Sequence, residues 1–230
     1  MEPIAAPESI DLVALAPVLV LTVFAAGVLI LDLFAGKNKT LLAFVSLVGL
    51  LMTAISAFAK VGLPVHSFND SYIVDHLSVF FILIFTVSSA LAILLSIEYN
   101  NREGIKAGEF YSLILFCTVG MILLASSTDL IMIFLGIEIV SICLYVLAGI
   151  RRDDVKSNEA ALKYFLLGAF ATGFLLYGMA LMYGSTGTTN LIKITAMIKS
   201  GEVGSQPLML MGVVLLVIGF GFKVASVPFH

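Results

Sequence analysis

The run LIMIFLGIEIVSICLYVLAGI, Leu130–Ile150, holds a single charged residue, Glu138, in twenty-one positions. A helix needs ~20 mostly apolar residues to cross the hydrocarbon core of a bilayer. The run lacks the alternation of a barrel strand and is longer than its ~9–11 residues, so it reads as a membrane-crossing helix. The same reading extends outward along the chain. Leu12–Leu31, Thr40–Ala59, Leu77–Ile97 and Phe110–Thr128 carry no charge until Glu98 just beyond the third, whereas Ala160–Tyr183 holds Lys163 and Pro207–His230 holds Lys223. The expected fold is therefore all-α, a polytopic membrane helix bundle of about seven transmembrane helices.

The composition agrees. Of 230 residues, 60% are hydrophobic and 12% charged, and the mean hydropathy is +1.13. Soluble domains run at roughly 45–50% apolar and about 25% charged, which excludes an ordinary water-soluble enzyme and a disordered tail. A net charge of −3 gives no basic surface for nucleic acid. Cys117 and Cys143 lie in separate apolar runs and form neither a CxxC pair nor a Cys/His cluster, arguing against a metal site or a disulfide framework. A glycine-rich nucleotide loop is also missing, since Gly219-Phe220-Gly221 sits in the wrong context. The first span follows Glu2, Glu8 and Asp11 rather than a positive segment, so it reads as retained and not as a cleaved signal.

The positive charges predict an orientation. The first, third and fifth connections carry Lys37, Lys39, Arg102, Lys106, Arg151, Arg152 and Lys156, whereas the even connections carry Lys60, Lys193 and Lys199. The positive-inside rule then places the odd connections in the cytoplasm and the N-terminus outside. The connection Gly184–Gln206 reads either as a short amphipathic helix, with Leu191, Ile194 and Ile198 on one face, or as a structured loop. His66 and His76 read as solvated in an outer loop with Asp70 and Asp75, and Asp129 as a helix cap.

Three ionisable residues remain inside the spans. A charge at a helix centre costs roughly 2.5–3.5 kcal/mol on insertion scales, so membrane proteins keep such groups where they face a bundle interior. Glu138 is the ninth residue of its span, ~12 Å from the outer end at 1.5 Å per residue. It reads as a proton-exchanging carboxyl or as a hydrogen-bonded packing device. Lys163 follows the turn RRDDVKSN, where Ser157 or Asn158 is the expected N-cap. That places it about one turn inside the inner boundary, where it either snorkels or exchanges protons. Lys223 lies among Gly219, Gly221 and Pro228. The proline cannot donate to the carbonyl of Val224, so the seventh helix is expected to break near Pro228, within a turn of the lysine. Broken backbone at membrane depth survives only where it lines a cavity or is enclosed by protein. His230 follows that break and could relay protons.

The stretch FLGIEIVSICLYVLAGIRRDDVKSNEAALKYFLLGAFATGFLLYGMALMYGSTGTTNL, Phe134–Leu191, resembles subunit N of bacterial NADH–quinone oxidoreductase, an antiporter-like membrane subunit family of respiratory complex I. FKVASVPFH, Phe222–His230, is similar to the motif on that family's broken seventh helix. The resemblance implies that Glu138 pairs with Lys223, that Lys163 exchanges protons on the hydrated inner side, and that His230 follows the break. It implies residues 1–108 as an N-terminal three-helix segment and 109–230 as an incomplete first antiporter-like repeat. It implies outward proton translocation at the bacterial inner membrane, driven by electron transfer in partner subunits. Those partners would carry NADH, FMN, iron–sulfur clusters and quinone, and this chain none. A multisubunit cation/proton antiporter subunit and a purely structural membrane subunit are the competing expectations. Such family members run to about fourteen spans, against seven here.

Overall fold

The computed structural model describes residues 12, 14–34, 39–62, 65–105 and 108–227. It divides into two compact units, Met1–Ser127 and Thr128–His230. Pro228 and His230, the break-forming proline and the histidine expected to follow it, lie outside the described residues.

The first unit contains α1 (Ala16–Phe34), α2 (Thr40–Phe58), β1 (Val65–Ser67), β2 (Tyr72–Val74), α3 (His76–Glu103) and α4 (Glu109–Ala125). Helix α1 packs on α2 and α4, and α3 packs on α2 and α4, closing a four-helix ring. Leu21, Leu42, Leu50, Ile82, Ile93, Leu115 and Ile122 fill it. The first span was expected to stop at Leu31, but α1 continues through Asp32 to Phe34. Asp32 does not end the helix because Lys39 neutralises it, and the carboxylate sits where a side chain at Gly108 would otherwise be.

The outer loop between α2 and α3 is not wholly irregular. It forms an antiparallel ribbon in which His66 faces Ile73, and Phe68, Asn69 and Asp70 at its tip all take positive φ. His66 is solvated as expected but pairs with Asp70 at 2.7 Å. Asp75 closes the ribbon and starts α3 through a capping box: its carboxylate accepts from the Ser78 backbone N–H at 2.8 Å, and the Ser78 hydroxyl accepts from the Asp75 N–H. The Ser78 hydroxyl, foremost, holds the Asp75 carboxyl below its ordinary value.

The second unit contains α5 (Leu130–Ala148), α6 (Val155–Thr186), α7 (Leu191–Ser200) and α8 (Gln206–Lys223). Both α5 and α8 pack on α6. Helix α6 meets α8 through glycines, where an added Cβ on Gly178 would lie 2.9 Å from the Gly212 carbonyl and one on Gly219 would lie 2.9 Å from Leu175 Cβ. Small residues of this kind let helix backbones approach closely in lipid. The 184–206 connection resolves in favour of the short helix: α7 begins at Asn190, whose side chain accepts from the Ile192 and Lys193 N–H groups, and buries Ile194. Asp129 caps α5 by accepting from the Ile131 N–H at 2.8 Å.

Among the described residues, six helices are long and apolar enough to cross a membrane, and α4, at 17 residues, is a shorter apolar helix between them. These seven correspond in order to the seven expected spans. Their outward faces carry Leu, Ile, Val and Phe, the surface a helix shows to lipid rather than to water. The architecture is a polytopic helical membrane bundle with one small ribbon.

Candidate functional site

Helix α5 brings Glu138, Ser141 and Tyr145 onto one stripe, since residues spaced i, i+3 and i+7 share a face. Helix α6 answers with small or polar side chains at Gly168 and Thr172, and α8 delivers Lys223 as its last residue. Three helices of the second unit thus converge.

The contacts are specific. The Thr172 hydroxyl donates to Glu138 Oε1 at 2.8 Å. Lys223 Nζ donates to Ser141 Oγ at 2.8 Å and lies 3.4 Å from Glu138 Oε1. The lysine and glutamate side chains are 14% and 23% exposed. That matters, because a charged pair held mostly out of water is weakly screened, and each charge depends on the other for stabilisation. Ser141 itself is buried.

Helix α8 ends at Lys223 through a backbone device. The Ser226 N–H donates to the Gly221 carbonyl and the Ala225 N–H to the Phe222 carbonyl, with Ala225 at φ +51°. These two bonds and the left-handed residue make a Schellman motif, which usually places glycine where Ala225 stands. The helix therefore ends at Lys223, within the turn where the break was expected, and Pro228 lies outside the described residues.

Tyr145 adds a hydroxyl to the same face. It is buried, and its ring meets Tyr164 edge-on with centroids 4.7 Å apart. An ideal Cβ on Gly168 would lie 1.8 Å from the Tyr145 oxygen, so the glycine provides the notch that the hydroxyl occupies. Tyr145, Tyr164, Leu167, Phe222, Lys223 and Ala225 line a cavity of about 240 Å³. Among the described residues, no three His, Cys, Asp or Glu side chains are placed to hold a metal ion.

Lys163 stands apart from this cluster. Its ammonium pairs with Glu159 one turn earlier on α6, and both side chains are more than half exposed. The N-cap of α6 is Asp154, not Ser157 or Asn158, with its carboxylate accepting from the Lys156 N–H at 2.9 Å. Ser157 and Asn158 are committed elsewhere, to the carbonyls of Ala148 and Arg152. The earlier start leaves Lys163 two turns along a helix of 32 residues. At about 48 Å, that helix exceeds a hydrocarbon core of ~30 Å, so this end has room to stand in water.

Ser141 and Tyr145 enter the sequence reading only as part of the stretch Phe134–Leu191, and Thr172 is not singled out there. A threonine in an apolar helix reads as packing, and only the facing helix shows which atom its hydroxyl meets.

Residues 127–230 match the family described as NADH:quinone oxidoreductase/Mrp antiporter, transmembrane. The "NADH-quinone oxidoreductase subunit N" of Trichlorobacter lovleyi is 47% identical over 224 residues, which cover 97% of this chain and 46% of that protein. A chain in the structure of respiratory complex I from Thermus thermophilus with bound aureothin superposes with a TM-score of 0.76 at 34% identity, covering 93% of this chain and 45% of that one. A chain of the membrane-bound sulfane sulfur reductase, an archaeal respiratory membrane complex, reaches 0.79 at 24% identity over 95% and 46%, and shows the shared fold. The chain spans about half the length of the curated relatives it matches. Residues 127–230 thus match the NADH:quinone oxidoreductase/Mrp antiporter transmembrane family, and nearly all of the chain's length is similar to 46% of the length of a subunit N of NADH-quinone oxidoreductase.

Proposed function

We propose that the chain acts as part of a proton-translocating membrane subunit of NADH:quinone oxidoreductase. Its partners would be the other membrane subunits of respiratory complex I, including antiporter-like neighbours, in a bacterial inner membrane with the N-terminus on the periplasmic side. NADH, FMN, iron–sulfur clusters and quinone would be handled by partner subunits. Residues 109–230 would form the first part of one antiporter-like repeat, behind an N-terminal three-helix segment at 1–108.

The observation that carries this reading is the Glu138–Lys223 pair, with Lys223 also donating to Ser141 and Thr172 donating to Glu138. While Lys223 holds its proton, it stabilises the ionised Glu138, and the carboxylate stabilises the ammonium. Separating the two removes that mutual support, favours loss of the lysine proton and favours protonation of the carboxyl. A movement of α8 against α5 is therefore a proton-moving step. Against a membrane potential each outward charge costs ~2.3 kcal/mol per 100 mV, which electron transfer in the partner subunits would supply. Lys163, beside Glu159 at the exposed end of α6, would exchange protons with the cytoplasm, and His230 would lie beyond the break.

The test uses the intact complex reconstituted in vesicles. Glu138→Gln and Lys223→Ala should each abolish most NADH-driven proton uptake while the complex still assembles. Normal pumping by either variant would remove the assignment, and loss of assembly in the charge-neutral Glu138→Gln would favour a structural role. Activity driven by an imposed sodium gradient, without NADH and quinone, would move the chain to the cation/proton antiporters.

A further inference from the structure

We infer that Ser141 is the positioning residue for Lys223: its hydroxyl accepts from the charged lysine and donates to the neutral one, holding the nitrogen on α5 while the contact with Glu138 opens. This rests on the proposed role of Lys223 and adds the group that keeps it in place.

The distances carry the assignment. Lys223 Nζ meets two oxygens of α5, Ser141 Oγ at 2.8 Å and Glu138 Oε1 at 3.4 Å. Only the first lies within the usual N–H···O range of ~2.7–3.2 Å. The shorter bond therefore belongs to the uncharged partner. Residues i and i+3 share a helix face, so one nitrogen reaches both oxygens from the end of α8. Glu138 has its own neutral anchor, the Thr172 hydroxyl on α6, which donates to the same Oε1 at 2.8 Å. Each member of the pair is thus tied by a hydroxyl from another helix, and the longest contact of the three joins the two charges. Ser141 is buried, where few waters compete for its hydroxyl.

The chemistry of the two groups explains why a serine serves. An ammonium has three donors and no acceptor, whereas a hydroxyl both donates and accepts. When Lys223 gives a proton to a water of the cavity it borders, that water becomes hydronium and the nitrogen gains a lone pair. The Ser141 O–H then turns and donates to the lone pair, and the serine neither gains nor loses a proton. The attraction of an ionised Glu138 for the nitrogen ends with the positive charge, but the bond to Ser141 survives with its direction reversed. Movement of α8 against α5 accordingly pivots at Ser141 and lengthens the contact with Glu138.

The experiment measures NADH-driven proton uptake by the intact reconstituted complex, with Lys223→Ala as the reference loss. A hydrogen bond to a charged group corresponds to about a ten- to hundredfold effect, and cavity water replaces part of it, so Ser141→Ala should slow uptake about tenfold. Ser141→Thr restores the hydroxyl and should recover most of the rate. Ser141→Val has the shape of threonine without the hydroxyl and should be as slow as Ser141→Ala. A packing role would make threonine and valine alike, so equal uptake in those two variants overturns the assignment. Wild-type uptake in Ser141→Ala, in a series where Lys223→Ala fails to pump, also overturns it and leaves the subunit's function standing. Wild-type uptake in Lys223→Ala overturns both. Should the threonine and valine variants not assemble, Ser141→Ala decides, slow uptake supporting the role and wild-type uptake overturning it.

Discussion

At the residue scale, single hydroxyls do much of the work. Thr172 gives Glu138 a hydrogen bond in a poorly solvated place, and a hydrogen bond to a charged group is worth about 1.5–3 kcal/mol. Thr172→Val keeps the shape and removes the donor. Proton uptake by the intact complex should fall by roughly ten- to a hundredfold on that scale, and Thr172→Ser should restore most of it. Asp75 offers a separate residue-scale test at the start of α3. Replacing a capping aspartate by alanine costs about 0.5–2 kcal/mol, which thermal unfolding in detergent would read. The Asp75 carboxyl is held below its ordinary value when folded. Its contribution is therefore complete above the unfolded carboxyl's range and is lost as pH falls through the folded value. Wild-type and Asp75→Ala melting curves should differ at pH 7 and converge under strongly acidic conditions.

At the scale of elements, glycine positions in α6 separate sharply. Gly178 faces the Gly212 carbonyl, whereas Gly173 has nothing within 4 Å of an added Cβ. Gly178→Ala forces two helix backbones apart, and overpacking of this kind costs typically 1–3 kcal/mol. Gly173→Ala relieves the helix of a glycine, a change worth about 0.8–1.0 kcal/mol in its favour. Melting temperatures in detergent should therefore move in opposite directions for two identical substitutions five residues apart. Because α8 carries Lys223, loss of the Gly178 contact should also reduce pumping, and Gly173→Ala should not. The same elements show why boundaries are harder to read than spans. Asp32 reads as the end of a helix until Lys39 is found beside it, and Ser157 reads as a cap until its hydroxyl is found on Ala148. Each is decided by a partner whose position the chain must first fold to create.

At the scale of the molecule, the proposed orientation has its own test. Glu202 lies in an even connection after α7, and Asp153 in the odd connection before α6, both exposed. In a background with Cys117 and Cys143 replaced, Glu202→Cys should react with a membrane-impermeant maleimide added to whole cells whose outer membrane is permeabilised. Asp153→Cys should react only after the inner membrane is opened. The reverse pattern would invert the topology and with it the direction assigned to proton movement. A chain with these apolar outer faces should also stay with the membrane after alkaline carbonate washing, which strips peripheral proteins.

Read from the chain alone, the number and order of the apolar helices were determined, because hydrocarbon demands long uncharged runs and satisfied backbone whatever the neighbours are. Glu138 and Lys223 were legible for the same reason, since a charge in such a run is too costly to be casual. That they meet, that Ser141 and Thr172 receive them, that Lys163 turns instead to Glu159, and that a left-handed Ala225 closes α8 after Lys223 were decided only by the tertiary structure. Serine, threonine, tyrosine and glycine cost little to bury in a helix, so nothing in the sequence marks which of them is used. Their roles come from the atom across the interface, and that atom belongs to another helix.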